Sequence, residues 1–214
     1  MVQAEQEDRK TETRRTKGLD AVNENPDDWE FTGFVFNGKA DLCAQFKNIN
    51  NPSQQQTIKC PYGKTAAVLW VRESFQQVTD FSKGPKNVTF PFMYKADGFE
   101  PYRSKWKPSI HMPKPACRIF LQIQDIQVQR LQDITEQDAR NEGALIVKYE
   151  EIENTTYGYS HIYQNEIEAR STWIYAKDSF KEIINKINGP TSWDANPWVW
   201  VIKFKRIPKP ENFC

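Results

Sequence analysis

Residues 9–15 read RKTETRR, four cations and two threonines with no apolar side chain among them. Like charges packed this closely repel, so something must answer them: solvent, a buried carboxylate of the same chain, or a polyanionic ligand. A second concentration lies at 94–118. There Lys95, Arg103, Lys105, Lys107, Lys114 and Arg118 stand against only Asp97 and Glu100, with Tyr94, Phe99, Tyr102 and Trp106 interleaved. Cations that answer phosphate beside flat rings that stack on bases are the means by which single-stranded or flipped bases are held. The same composition also describes a solvated basic loop whose rings partly pack.

Two further residues could do chemistry. Glu142 closes a short predicted helix, where the dipole disfavours a carboxylate, so either solvent or a neighbouring cation compensates it. His111 sits in SIHMPKP, where Pro113 and Pro115 prevent a helix. A histidine in such a loop serves either as a hydrogen-bonded structural residue or as an acid–base group. Other chemistries lack their residues. There is no Gly-rich phosphate loop, no GxSxG elbow and no HExxH. The four cysteines, at 43, 60, 117 and 214, and the two histidines do not fall at metal-ligand spacings. A net charge of +1 excludes a uniform nucleic-acid coat and confines electrostatic reasoning to local patches. No signal peptide opens the chain and no apolar run approaches membrane-spanning length, so a soluble cytoplasmic protein with reduced thiols is expected.

The elements that must position these residues are mostly strands. The 214 residues suit one domain with insertions. The first fifteen residues have helical propensity, with Glu and Gln early and Arg and Lys late. FTGFVFNG and LCAQF read as a hairpin about an NGK turn, TAAVLWVRESF (65–75) as one strand, and VTFPFMYKADGF as a second hairpin. In CRIFLQIQDIQVQRL (117–131) the apolar phase slips between Ile123 and Ile126, which predicts a bulge. ITEQDARNEG reads as a short helix capped by Thr135 and Asp138 and stopped by Gly143. KDSFKEIINKING reads as a helix begun by a Ser179–Glu182 capping box, and WVWVIKFKRI as the final strand. Strands without a βαβ rhythm predict an α+β fold with a mostly antiparallel, curled sheet.

Taken in order, RKTETRR, VLWVRESF, YKAD, W-x-PSIHMP-x-x-x-CRI, LQDITEQDARNEG and SWDANPWVWVIKFKRI resemble the ASCH (ASC-1 homology) family, most closely its long phage- and prophage-borne branch. The resemblance covers residues 9–20, 65–143 and 173–207. It implies a PUA-like, mostly antiparallel β-barrel with few short helices, one domain over 1–214 with insertions near 18–61 and 144–172. It implies a basic cleft that binds RNA, single-stranded nucleic acid or a nucleoside, in a bacterial or phage-infected cytoplasm, with no cofactor and no metal.

A shorter branch of that family hydrolyses the amide of N4-acetylcytidine with a Lys and a Thr of a G-x-K-T-x-T-x-R motif and the Glu of an A-x-x-E helix end. By the resemblance these fall on Lys10, Thr13 and Glu142. Thr13 would supply a nucleophile or position water, Lys10 would act as base, and Glu142 would orient Lys10 or shuttle a proton. The implied ligand contacts are Arg14, Arg15, Arg72, Glu73, Tyr94, Lys95, Trp106, Lys107, Ser109, His111 and Arg118. Asp8 and Arg9 stand where the motif opens with Gly, and QAEQED stands where the family has a half-apolar helix, which leaves open a loosely docked N-terminal arm. A binding module is the first expectation on these grounds, and an amidohydrolase acting on acylated nucleosides the alternative.

Overall fold

The computed structural model describes residues 2–78, 92–101, 105–150, 155–160 and 175–213, with backbone alone along 145–150 and 155–160. The chain runs α1 (Val2–Gln6), β1 (Glu12–Arg15), α2 (Asp20–Asn23), β2 (Trp29–Phe36), β3 (Leu42–Asn48), β4 (Gln55–Lys59), β5 (Val68–Trp70) and β6 (Phe75–Gln77). It continues through β7 (Phe92–Tyr94), β8 (Phe120–Arg130), α3 (Glu136–Asn141), β9 (Leu145–Glu150), β10 (Thr155–Ser160), α4 (Ala176–Asn188) and β11 (Trp198–Ile207). The fold is α+β, with antiparallel strands curled into a half-barrel and few short helices. The central sheet has the order β1-β11-β8-β5, beside a β2-β3-β4 meander and the pairs β6-β7 and β9-β10.

The central sheet is buried on both faces. On one, Ile119, Leu121, Ile123, Ile126 and Val128 join Trp200, Ile202 and Phe204 of β11 against Trp29, Ala44 and Phe46 of the meander and Leu19 and Val22 at α2. The predicted phase slip is a bulge: Ile123 pairs with Phe204 and Asp125 with Lys203, so Gln124 has no opposite residue. That extra residue returns Ile126 and Val128 to the face that Ile119–Ile123 began. On the other face Val199 and Val201 meet Leu131, Ile134, Ala139, Phe180 and Trp193, which brings α3 and α4 onto the sheet.

Several local readings are corrected. Residues 65–75 are not one strand. The ladder with β8 holds only over Val68–Trp70 and resumes in another sheet at Phe75, because Glu73 between them is buried against Arg118. The N-terminal helix is confined to Val2–Gln6, and Glu12–Arg15 is a strand paired with β11. α4 begins at Ala176, three residues before Ser179, and no side chain at its own N-cap closes it. Instead both oxygens of Glu136 in α3 accept the N–H groups of Ala176 and Lys177 at 2.7 and 3.0 Å. The cap of α3 is as expected, Thr135 and Asp138 satisfying each other's backbone N–H. Of the expected second hairpin at 88–99, Phe92–Tyr94 forms β7, which pairs with β6 upstream of that segment, and residues 88–91 lie outside those described. The expected insertion at 144–172 begins with the β9-β10 hairpin.

Candidate functional site

The N-terminal arm is not loosely docked. β1 pairs along its length with β11, Thr11 N–H donates to Asn141 O at 2.8 Å, and Phe204 N–H donates to Thr11 O at 2.8 Å. Alternation in the strand then sorts the RKTETRR side chains. Arg14 lies opposite Val201, on the α3–α4 face, and Thr13 opposite Ile202, on the face of the main core. Lys10 and Glu12 share parity with Arg14.

Their charges are answered from within. Lys10 Nζ donates to Glu142 Oε2 at 2.6 Å and to Glu142 O at 2.9 Å. Arg14 Nη1 donates to Glu12 Oε1 at 2.6 Å and reaches Glu142 Oε1 at 3.5 Å, while Arg14 Nη2 lies 3.4 Å from Asp138 Oδ2. Lys10, Glu12, Arg14 and Glu142 are each exposed by 4% or less. Glu142 thus ends α3 as a carboxylate compensated by two cations rather than by solvent. Two cations meet three carboxylates here, and burial pushes the Glu12 carboxyl above its ordinary pKa in spite of Arg14. Thr13 Oγ1 is buried without a hydrogen-bond partner among the described residues, on the other face of β1. The structure therefore brings Lys10 and Glu142 together and sets Thr13 apart from them.

Gly143 makes the contact possible. Its φ of +101° suits glycine, and a Cβ there would stand 2.9 Å from Ala4 Cβ and 3.1 Å from Lys10 Cβ. The A-x-x-E-G run thus ends α3, turns left-handed and lets the arm close on it.

Two cavities flank the pair. A cavity of about 360 Å³ is lined by Arg14, Arg15 and Glu142 and by Phe180, Ile183 and Ile184 of α4, among others. A wider cleft of about 630 Å³ is lined by Glu5, Asp8, Lys10 and Thr11 from the arm, Arg118 from the second basic segment, and the end of β11. Lys10 lines the second and Glu142 the first, so their ion pair stands as the partition between them.

The remaining expected ligand contacts fall away from the α4 cavity. Arg118 donates to Glu73 at 2.8 Å and Asp97 at 2.6 Å, and its guanidinium lies 3.8 Å from the Tyr94 ring centroid. Burial works against that charge, yet the carboxylate hydrogen bonds push its pKa above the ordinary value. Tyr94 donates its hydroxyl to Ala116 O at 2.6 Å, and burial pushes its pKa up to about 12. Arg72 stacks 4.8 Å from the Trp70 ring. Lys107 is bridged by backbone to Phe75, Lys95 and His111 are exposed, and Trp106 and Ser109 are half-buried. Of the cations at 94–118, Arg118 is thereby answered by Glu73 and Asp97.

Sequence reasoning missed Glu12, Asp138 and the apolar wall from α4. Glu12 carried a signal, since a carboxylate two residues from an arginine lies on the same side of a strand. The α4 wall carried its own in Phe180, Ile183 and Ile184 at helical spacing, which read as ordinary core. No family model, curated protein or solved structure matches the chain.

Proposed function

We propose that the chain is a nucleobase-binding domain of the PUA-like type suggested by its motif order, and that it takes the base of a nucleoside or of single-stranded RNA in the cavity between β1, the end of α3 and α4. One observation carries this reading: Glu142, buried and paired with Lys10 and Arg14, lines together with Arg14 a cavity of about 360 Å³ that Phe180, Ile183 and Ile184 of α4 also line. A base needs an apolar surface for its ring and donors and acceptors at its edge. Glu142 Oε1, only 3.5 Å from Arg14 Nη1, has acceptor capacity left for an N–H of the base. Arg15, exposed at the rim, supplies donors for a carbonyl or a phosphate. The meeting of Lys10 and Glu142 also favours the amidohydrolase alternative, but a Thr13 hydroxyl on the opposite face of β1 could not attack an amide held beside Glu142.

Calorimetric titration with the four ribonucleosides and N4-acetylcytidine, with chromatography for product, tests both. Saturable binding without turnover is expected, weakened roughly 10- to 100-fold in Glu142→Gln, the cost of a hydrogen bond to a charged group. Ile184→Trp, which fills the cavity and leaves the ion pair intact, should abolish it. Absence of binding to every nucleoside would overturn the proposal. Turnover of N4-acetylcytidine that disappears in Lys10→Ala would replace it with the hydrolase.

A further inference from the structure

The wider cleft on the other side of the Lys10–Glu142 pair has a charge pattern that the base cavity does not use. Five cations line it, Lys10, Arg118, Lys205, Arg206 and Lys209, against the acids Glu5 and Asp8. Two of the five are committed, Lys10 to Glu142 and Arg118 to Glu73 and Asp97. The other three come from the end of β11 and the residues just after it, are exposed, and have no carboxylate within ion-pair distance among the described residues. Arg206 gives a single N–H to Gln6 O at 3.2 Å and keeps its other donors.

The backbone that carries Lys209 is restrained. Lys209 stands between Pro208 and Pro210, whose rings restrict the backbone. Phe213 anchors the far end, its ring 4.7 Å from Phe120 and 6.0 Å from Trp70. Leu121, Phe204, Ile207 and Pro208 contribute apolar lining to the same cleft. Cations beside apolar, low-dielectric walls of a cleft act on an anion more strongly than the same charges in open water. Of the two acids, Glu5 has Oε2 buried without a hydrogen-bond partner among the described residues. Burial pushes its carboxyl pKa up, toward the neutral form that repels an anion less.

We propose that this cleft is a phosphate-binding track in which Lys205, Arg206 and Lys209 hold the phosphodiester backbone of a single-stranded nucleic acid. The kind of polyanion rests on the nucleobase reading above; the place does not, since the cleft shares no lining residue with the base cavity. The preferred ligand is then a strand and not a free nucleoside.

The test is fluorescence anisotropy with a labelled single-stranded RNA decamer over a salt series, using the full chain and Lys205→Gln/Lys209→Gln. Both lysines are exposed, so the variant should fold as the parent does. Three phosphate contacts on a single strand give a slope of log affinity against log salt of about −2, and loss of two contacts reduces it to about −0.7. Nucleoside binding should be the same in both proteins. A parent with no salt-dependent decamer binding, or a double variant with unchanged slope and affinity, would overturn the track. Displacement of the decamer by millimolar inorganic phosphate with no excess affinity for the strand would also overturn it, in favour of a single-anion site. If the slope falls as expected while no nucleoside binds, the track stands and the base cavity fails.

Discussion

Lys10 has exchanged water for a single carboxylate. Its side chain is 1% exposed and its ammonium meets both a side-chain and a main-chain oxygen of Glu142, which leaves Glu142 with little else, since Arg14 is 3.5 Å away and already committed to Glu12. The two partners are separated by 132 residues, so the pair ties the first strand of the central sheet to the end of α3. Removing one member of such a pair strands a buried charge, whereas removing both does not. Lys10→Met is expected to cost about 3–5 kcal/mol in urea denaturation. Adding Glu142→Leu should restore much of that loss, because two apolar side chains of similar volume need no partner. A single variant as stable as the parent would mean that water reaches Glu142 and that the cluster is not the dry wall assigned to the base cavity.

At the scale of elements, α3 is the joint of the site. It is only six residues long, too short to persist alone, and it is held by its own Thr135–Asp138 box. Its first residue, Glu136, caps α4, and Glu142, just past its last, receives Lys10. One short helix therefore sets the distance between the apolar and polar walls of the cavity. Glu136→Ala removes the acceptor of two N–H groups at the start of α4 and should cost about 1 kcal/mol, the usual worth of a cap. Hydrogen exchange at 176–180 should quicken, and nucleoside affinity should fall although Glu136 does not line the cavity. Unchanged exchange there would show that packing of Phe180 alone fixes α4.

The same elements show what was legible in the sequence. The α3 box and the β8 bulge are written in residues three apart, so local chemistry reveals them. The cap of α4 is not, because its acceptor lies 40 residues upstream in another helix, and Ser179–Glu182 offers a local pattern that the chain does not use at that helix start. β1 was hidden for a related reason. Glu-Thr-Arg-Arg has no apolar alternation, and its two buried charged side chains, Glu12 and Arg14, pair with each other, with Asp138 and Glu142 beside Arg14. Lys10 and Glu142 could be paired in advance only through the family resemblance.

For the whole molecule, the arm has a larger consequence than its length suggests. It provides the outer strand of the central sheet, covers one edge of β11 along Trp200–Lys203, and lines both cavities. Just beyond it, Lys17 O accepts the indole N–H of Trp200, a residue with no exposed surface at the centre of the core. A chain without residues 1–17 would expose the hydrogen-bonding edge of β11, leave that indole unpaired, and strip Glu142 of both cations at once. These losses add at separate places, so they exceed the marginal stability of a domain this size. The truncated chain is expected to show no cooperative thermal transition and to lose its near-ultraviolet tryptophan dichroism. Were the arm only an appended binding tail, its removal would leave the melting temperature within about 3 °C of the parent, the shift that roughly 1 kcal/mol produces in a chain of this length. Binding would then disappear from an intact fold, and the cavities would belong to the arm and not to the sheet.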